Sequence, residues 1–210
     1  MDAIFFDLDG TLSDPFEGIA RSLRFAFEAL GLEVPPEAEI RALIGPPLQI
    51  SMRARFADQT LSDEIVRLFR LRYADVGLLE NVVYPGVREL LAALADQVQM
   101  FVCTTKPHVY AVRVLERCGF GETFAAVYGS ELDGTNGDKR VLLAHALAEQ
   151  RIAATSHVAL LGDRALDVSA ARANGVAAWA AAWGYGSEEE LRGADHVFAA
   201  PHEVAALIAR

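Results

Sequence analysis

Lysine is nearly missing from this chain: of its 19 basic residues, 17 are arginine, and only Lys106 and Lys139 are lysine. A coding preference for arginine explains the surface, but it leaves lysine where a compact ammonium is needed and a planar guanidinium does not fit. Both lysines are therefore candidate functional groups. Cysteine is as scarce. Cys103 and Cys118 are too few for a disulfide framework, and Cys103, inside an apolar stretch, reads as a buried filler. No apolar run approaches the roughly 20 residues of a membrane helix. Met1-Asp2 leads directly into a strand pattern with no signal-peptide region, so a cytoplasmic protein is expected. Repeats and low-complexity segments are absent, and the five histidines lack ligand spacing. Positive charge is short overall: 19 basic against 29 acidic side chains give a net charge of −10, with no basic stripe. That speaks against a nucleic-acid polymer or an anionic membrane as partner. The same field repels small anions, so a phosphate site here has to be built locally from a metal and a few donors. The 210 residues, 52% of them hydrophobic, suffice for one domain with a large insert or for two small ones.

What is present is organised around the first strand. Ala3-Ile4-Phe5-Phe6 reads as a strand buried on both faces, and it runs into Asp7-Leu8-Asp9-Gly10-Thr11. A bland reading is an Asx turn, with Gly10 supplying positive φ. The functional reading is that Asp7 and Asp9 turn towards one point beyond the carboxyl end of the strand, where open α/β sheets bind ligands.

Helical spacing then covers Phe16 to Leu30, Glu37 to Leu43, Leu48 to Phe56 and Leu61 to Tyr73, the last with Ser62 or Thr60 as its cap. Ser13-Asp14-Pro15 is a breaker, and no strand signal occurs between Ser13 and Glu80. From residue 81 strands and helices alternate. Strands are expected at Val98 to Cys103, Ala125 to Tyr128, His157 to Leu161, Val176 to Ala182 and, briefly, His196 to Phe198. The expected fold class is α/β, with a mostly parallel sheet. Its core comprises residues 1–14 and 81–210, and 15–80 form a helical cap.

Polar groups follow the strands in order: Asp7 and Asp9, then Thr104-Thr105-Lys106, then Lys139 at a helix start, then Gly162-Asp163-x-x-x-Asp167. In a parallel sheet such groups share one edge and can converge. The four segments, in this order and over essentially the whole chain, resemble the four motifs of the haloacid dehalogenase superfamily. The helical stretch after the first motif resembles that superfamily's inserted cap. The resemblance implies a Rossmann-like core and a phosphatase in which Asp7 is the nucleophile and Asp9 the acid/base. It further implies that Thr104 binds a phosphoryl oxygen and that Lys139 neutralises charge. It places Mg²⁺ on Asp7, the Asp9 carbonyl and Asp163, with Asp167 in support. Gly10, Thr105, Lys106 and Gly45 are expected beside the substrate, Lys106 lying outside the four roles and reading equally as a solvated loop lysine. Asp9 argues against dehalogenation, since a halide leaves without a proton.

Within the superfamily, Asp7 to Pro15, Ile44-Gly45-Pro46-Pro47-Leu48 and Gly129 to Thr135 resemble the phosphoglycolate-phosphatase-like group and its 5′-nucleotidase-like branch. The substrate implied is a small phosphorylated metabolite, and the implied assembly a monomer or weak homodimer. A Schiff-base phosphonate hydrolase needs a cap lysine, and Pro15 to Glu80 contains none. A sugar-phosphate mutase and a non-enzymatic receiver-like module, which also groups acids, a Thr and a Lys, are the alternatives. Discrimination among substrates is expected from Gly45-Pro46-Pro47, with Phe16 and Ile19 near the hinge.

Overall fold

The computed structural model describes residues 1–155 and 157–209. Strand β1 (Ala3–Phe6) sits at the centre of a six-stranded parallel sheet and pairs with β4 (Gln99–Pro107) on one side and β6 (Val158–Gly162) on the other. Beyond β4 lies β5 (Ala126–Ser130). Beyond β6 lie β7 (Ala177–Ala181) and β8 (His196–Phe198), giving the order β5-β4-β1-β6-β7-β8. The chain builds one half outward from β1, then crosses to build the other. The crevice at the carboxyl end of β1 is thus a topological switch point.

All four residues of β1 are buried because both sheet faces are covered. Ile4 and Phe6 join the larger core with Leu90 and Leu94 of α5 (Val87–Leu94) and Val114 of α6 (His108–Arg117). Ala3 and Phe5 face the smaller core with Leu143 of α7 (Lys139–Gln150) and Ala171 of α8 (Ala165–Ala173). Helices α9 (Glu188–Leu191) and α10 (Pro201–Ile208) complete the periphery, α9 being absent from the sequence reading. Its four residues are too short to show a period.

Four helices lie between the first and second sheet strands: α1 (Phe16–Ala29), α2 (Glu37–Ala42), α3 (Leu48–Arg55) and α4 (Gln59–Asp75). They share an apolar interior that includes Phe27, Met52 and Ile65. Burying a side chain such as Phe27 stabilises the packing by about 1.5–3 kcal/mol.

Three local expectations are corrected. The α4 cap is Asp58, not Ser62 or Thr60: its side chain accepts hydrogen bonds from the Thr60 and Leu61 amides. Ser13–Asp14 is not a simple breaker but a two-residue strand, β2, antiparallel to β3 (Val82–Val83). This ribbon joins the two chain crossings between helical segment and sheet, and such short pairing leaves no periodic signal. Finally, β4 does not end at Cys103 but continues through Pro107, with a register break. Cys103 is level with Tyr128 and Pro107 with Ser130, so four steps along β4 match two along β5. A bulge re-aims side chains that regular alternation would send to opposite faces. Here it lies on Thr104-Thr105-Lys106.

Candidate active site

Asp7 leaves β1 as a buried residue, and its amide still donates to the Leu161 carbonyl of β6, so the carboxylate is fixed at the switch point. Gly10 turns the chain back at φ +88°, a conformation that favours glycine. A Cβ there would stand 2.2 Å from Asp163 Oδ2, so the turn packs directly on the second acidic loop. Asp163 follows β6 and is fully buried, and its Oδ2 accepts the Tyr185 amide at 2.7 Å. One helical turn on, Asp167 accepts the Arg164 amide at 2.9 Å. Carboxylate oxygens of Asp7, Asp163 and Asp167 all lie within 4.8 Å of one another.

Lys139 enters this group from the first turn of α7, whose cap Asp138 accepts the Arg140 amide. Its Nζ lies 2.8 Å from Asp7 Oδ1 and also contacts Asp167 Oδ1. Both are ion-pair contacts without directed hydrogen-bond geometry. Asp7, Lys139, Asp163 and Asp167, from three of the four sequence segments, therefore meet at one place.

A family model described as haloacid dehalogenase-like hydrolase matches residues 4–181, a span that holds every one of these groups. The chain belongs to that family. It is 44% identical over 191 residues to a 5′-nucleotidase from Pseudomonas aeruginosa, covering 90% of this chain and 86% of that protein. It is 32% identical over 201 residues to a phosphoglycolate phosphatase from Chromobacterium violaceum, covering 92% and 90%. Among solved structures, that of protein tyrosine kinase A (PtkA) from Mycobacterium tuberculosis superposes with a TM-score of 0.84 at 31% identity, covering 100% and 98%. The chain is thus a phosphatase-type enzyme of the haloacid dehalogenase-like family, and the mostly parallel α/β fold expected from its sequence is the one observed.

In this hydrolase the electrostatics are unbalanced. Three buried carboxylates share one ammonium. Burial pushes the Asp163 carboxyl well above the ordinary carboxylate range, and the charges of Asp7 and Asp167 add to the effect. Asp167 is pushed up to about 6, by burial first and by Asp7, against the pull of Lys139. Burial alone would lower the Lys139 ammonium, but Asp167 and Asp7 outweigh it and hold it charged. A buried group of hard oxygen donors with surplus negative charge fits a divalent cation such as Mg²⁺. The Asp9 side chain stands outside this group.

Asp9 belongs instead to Lys106. Its Oδ2 accepts from Lys106 Nζ at 2.6 Å, while Oδ1 is buried without a partner. Burial raises the Asp9 carboxyl and Lys106 opposes that rise. Lys106 itself, which the sequence left open as a solvated loop residue, is only 7% exposed. Asp7, Asp9, Thr104, Thr105, Lys106 and Gly45 line one cavity of about 100 Å³. Ile19 also lines it. Phe16 is packed against the larger core, beneath the Arg41 guanidinium at 4.0 Å.

Four participants escaped the sequence reading. Tyr73, Phe69 and Tyr110 line the cavity, and their helical spacing reads as core alone. Arg164 donates to the Ile44 carbonyl and pairs with Glu190 at 2.8 Å, so the loop after β6 holds the Ile44-Gly45 turn. Its position between Asp163 and Asp167 was the available signal.

Proposed function

We propose that this chain is a magnesium-dependent phosphomonoesterase that acts through an aspartyl-phosphate on Asp7, with a small phosphorylated metabolite as substrate. The supporting observation is the convergence of Asp7 with Lys139 and with Asp163 and Asp167 at the end of the central strand. When bound by Asp7, the Asp9 carbonyl, Asp163 and Asp167, Mg²⁺ would supply charge neutralisation for the phosphoryl group.

The chain's own residues account for the rest. An Asp7 oxygen attacks phosphorus as the ester P–O bond breaks, and the leaving oxygen takes a proton from Asp9. Asp9, now a carboxylate, removes a proton from water. That water attacks phosphorus, the bond to Asp7 breaks, and phosphate leaves with Asp7 restored. Thr104 donates to a phosphoryl oxygen, and Lys139, beside Asp7 Oδ1, offsets the charge on the equatorial oxygens. Residues 15–80 act as a cap that excludes bulk water and selects the leaving group, with hinges at Leu12 to Pro15 and Glu80 to Pro85. The names of two relatives support phosphoglycolate or a nucleoside 5′-monophosphate as the substrate class. A cytoplasmic monomer or weak dimer is consistent with this reading.

The test is release of inorganic phosphate from p-nitrophenyl phosphate with Mg²⁺ and with excess chelator, followed by a panel of phosphate esters. Mg²⁺-dependent release supports hydrolysis. Transfer to a sugar or a tyrosine hydroxyl without phosphate release would instead indicate a mutase or a kinase.

A further inference from the structure

Tyr73 stands on α4, in the helical segment, yet it is tied to the chemistry of the core. Lys106 Nζ donates to the Tyr73 hydroxyl at 2.6 Å and to Asp9 Oδ2 at 2.6 Å. The same ammonium lies 4.9 Å from the centre of the Tyr73 ring. Phe69 stacks on that ring at 5.0 Å, and Tyr110 meets it edge-on at 5.6 Å, so the hydroxyl has little freedom. The β4 bulge makes the arrangement possible by letting Thr105 and Lys106 both reach the helical segment from successive positions.

The consequence falls on Asp9. A carboxyl group that exchanges a proton needs one oxygen anchored and the other presented to the reacting atom. Oδ2 is anchored by Lys106, whereas Oδ1 is buried with no partner. We propose that Tyr73 is a positioning residue which, acting through Lys106, fixes the Asp9 carboxylate so that Oδ1 is the proton-exchanging atom. Asp9 is then correctly placed only when α4 is seated over the site. This inference rests on the acid/base reading of Asp9 given above.

The experiment compares Tyr73→Phe, Lys106→Gln, Asp9→Asn and the Tyr73→Phe/Asp9→Asn double variant in the full chain. Each is assayed with Mg²⁺ on p-nitrophenyl phosphate and on a simple alkyl phosphate. The first leaving group departs without a proton; the second requires one. Loss of positioning is expected to reduce kcat/KM, which reports formation of the aspartyl-phosphate and not the later water attack common to both esters, at least about fivefold more for the alkyl ester than for the nitrophenyl ester, a fraction of the effect of a whole general acid. Tyr73→Phe should add nothing further in the Asp9→Asn background. Lys106→Gln should show the same leaving-group bias, more strongly. Equal losses on both esters, or full additivity with Asp9→Asn, would overturn the proposal and leave Tyr73 as packing. If wild type hydrolyses no ester, the phosphatase reading fails on its own. The link is then tested by thermal unfolding of wild type and the same four variants without metal: non-additive Tyr73 and Asp9 effects support it, additive ones reject it.

Discussion

Thr105 Oγ1 donates to the Gly45 carbonyl at 2.5 Å, so the strand carrying Thr104 is hydrogen-bonded to the turn of the helical segment that faces it. The Thr105 carbonyl in turn accepts from Ser130 Oγ at 2.7 Å, which fixes the bulged strand from behind. The strand that carries Thr104 and the Gly45 turn are therefore one connected unit, and changes at either are expected to be felt at the other.

Asp7→Asn is expected to abolish turnover, because the amide is no nucleophile towards phosphorus. The fold should survive, since the side chain is isosteric and one of three crowded carboxylates loses its charge. Phosphate release in single-turnover assays checks the first part and circular dichroism the second. Retention of even about a tenth of the wild-type rate, far above what loss of a nucleophile permits, would show that Asp7 is not the attacking group.

Mg²⁺ is expected to raise the melting temperature, because a cation that binds only the folded state stabilises it by about 2.7 kcal/mol at a hundredfold excess over Kd. For a chain of this size that is roughly 5–10 °C. Asp163→Asn should remove the rise. In chelator the same variant should be at least as stable as wild type, since buried carboxylate repulsion is relieved. A Mg²⁺-induced rise preserved in Asp163→Asn would place the ion elsewhere.

Asp138 caps the helix that carries Lys139, and Arg140, by side chain and backbone amide, holds its carboxyl down at about 2. A folded pKa below the unfolded value of 3.8 means that the charged form stabilises. The contribution is complete above the unfolded value and is lost as pH falls through about 2. Asp138→Ala should cost about 1 kcal/mol at neutral pH, a typical cap, less whatever solvent screens at this exposed site. The melting-temperature gap to wild type should narrow between pH 4 and 2. A gap independent of pH would assign the cap to neutral hydrogen bonding.

The positions of Asp7, Lys139, Asp163 and Asp167 were legible because each follows a strand or opens a helix, and parallel topology then brings strand ends together. Their partners were less so. Tyr73 and Phe69 lie four residues apart on a helix, a spacing that core packing explains without a site. Lys106 could be singled out by its rarity, but its burial depends on Asp9 and Tyr73, which are distant in sequence and adjacent only after folding. The β4 bulge and the β2–β3 ribbon leave no period to detect. Arg164 sits inside a recognised motif, yet only the fold shows that its side chain faces the Ile44 carbonyl rather than the acidic cluster.

The Ile44-Gly45 turn is held by Arg164 on one side and Thr105 on the other. Gly45 has φ +109°, where any side chain is strained, and a Cβ there would lie 2.9 Å from Arg164 Cγ. Arg164 cannot yield freely, because its guanidinium is paired with Glu190 and donates to the Ile44 carbonyl. A side chain at position 45 must therefore shift the turn away from Arg164 and disturb the Thr105 hydrogen bond. The Asp7, Asp163 and Asp167 cluster lies on the sheet side and does not use this turn. Gly45→Val should accordingly change kcat/KM by about tenfold or more for some phosphate esters and much less for others, the scale set by misplacing a leaving group by a fraction of an ångström. The Mg²⁺ dependence of the melting temperature should stay as in wild type. Pro46→Ala, which loosens the turn without the clash, should act in the same direction and more weakly. Equal losses across the ester panel would mean that the turn only supports the fold, and selection would then lie with the core loops around Lys106 and Glu131.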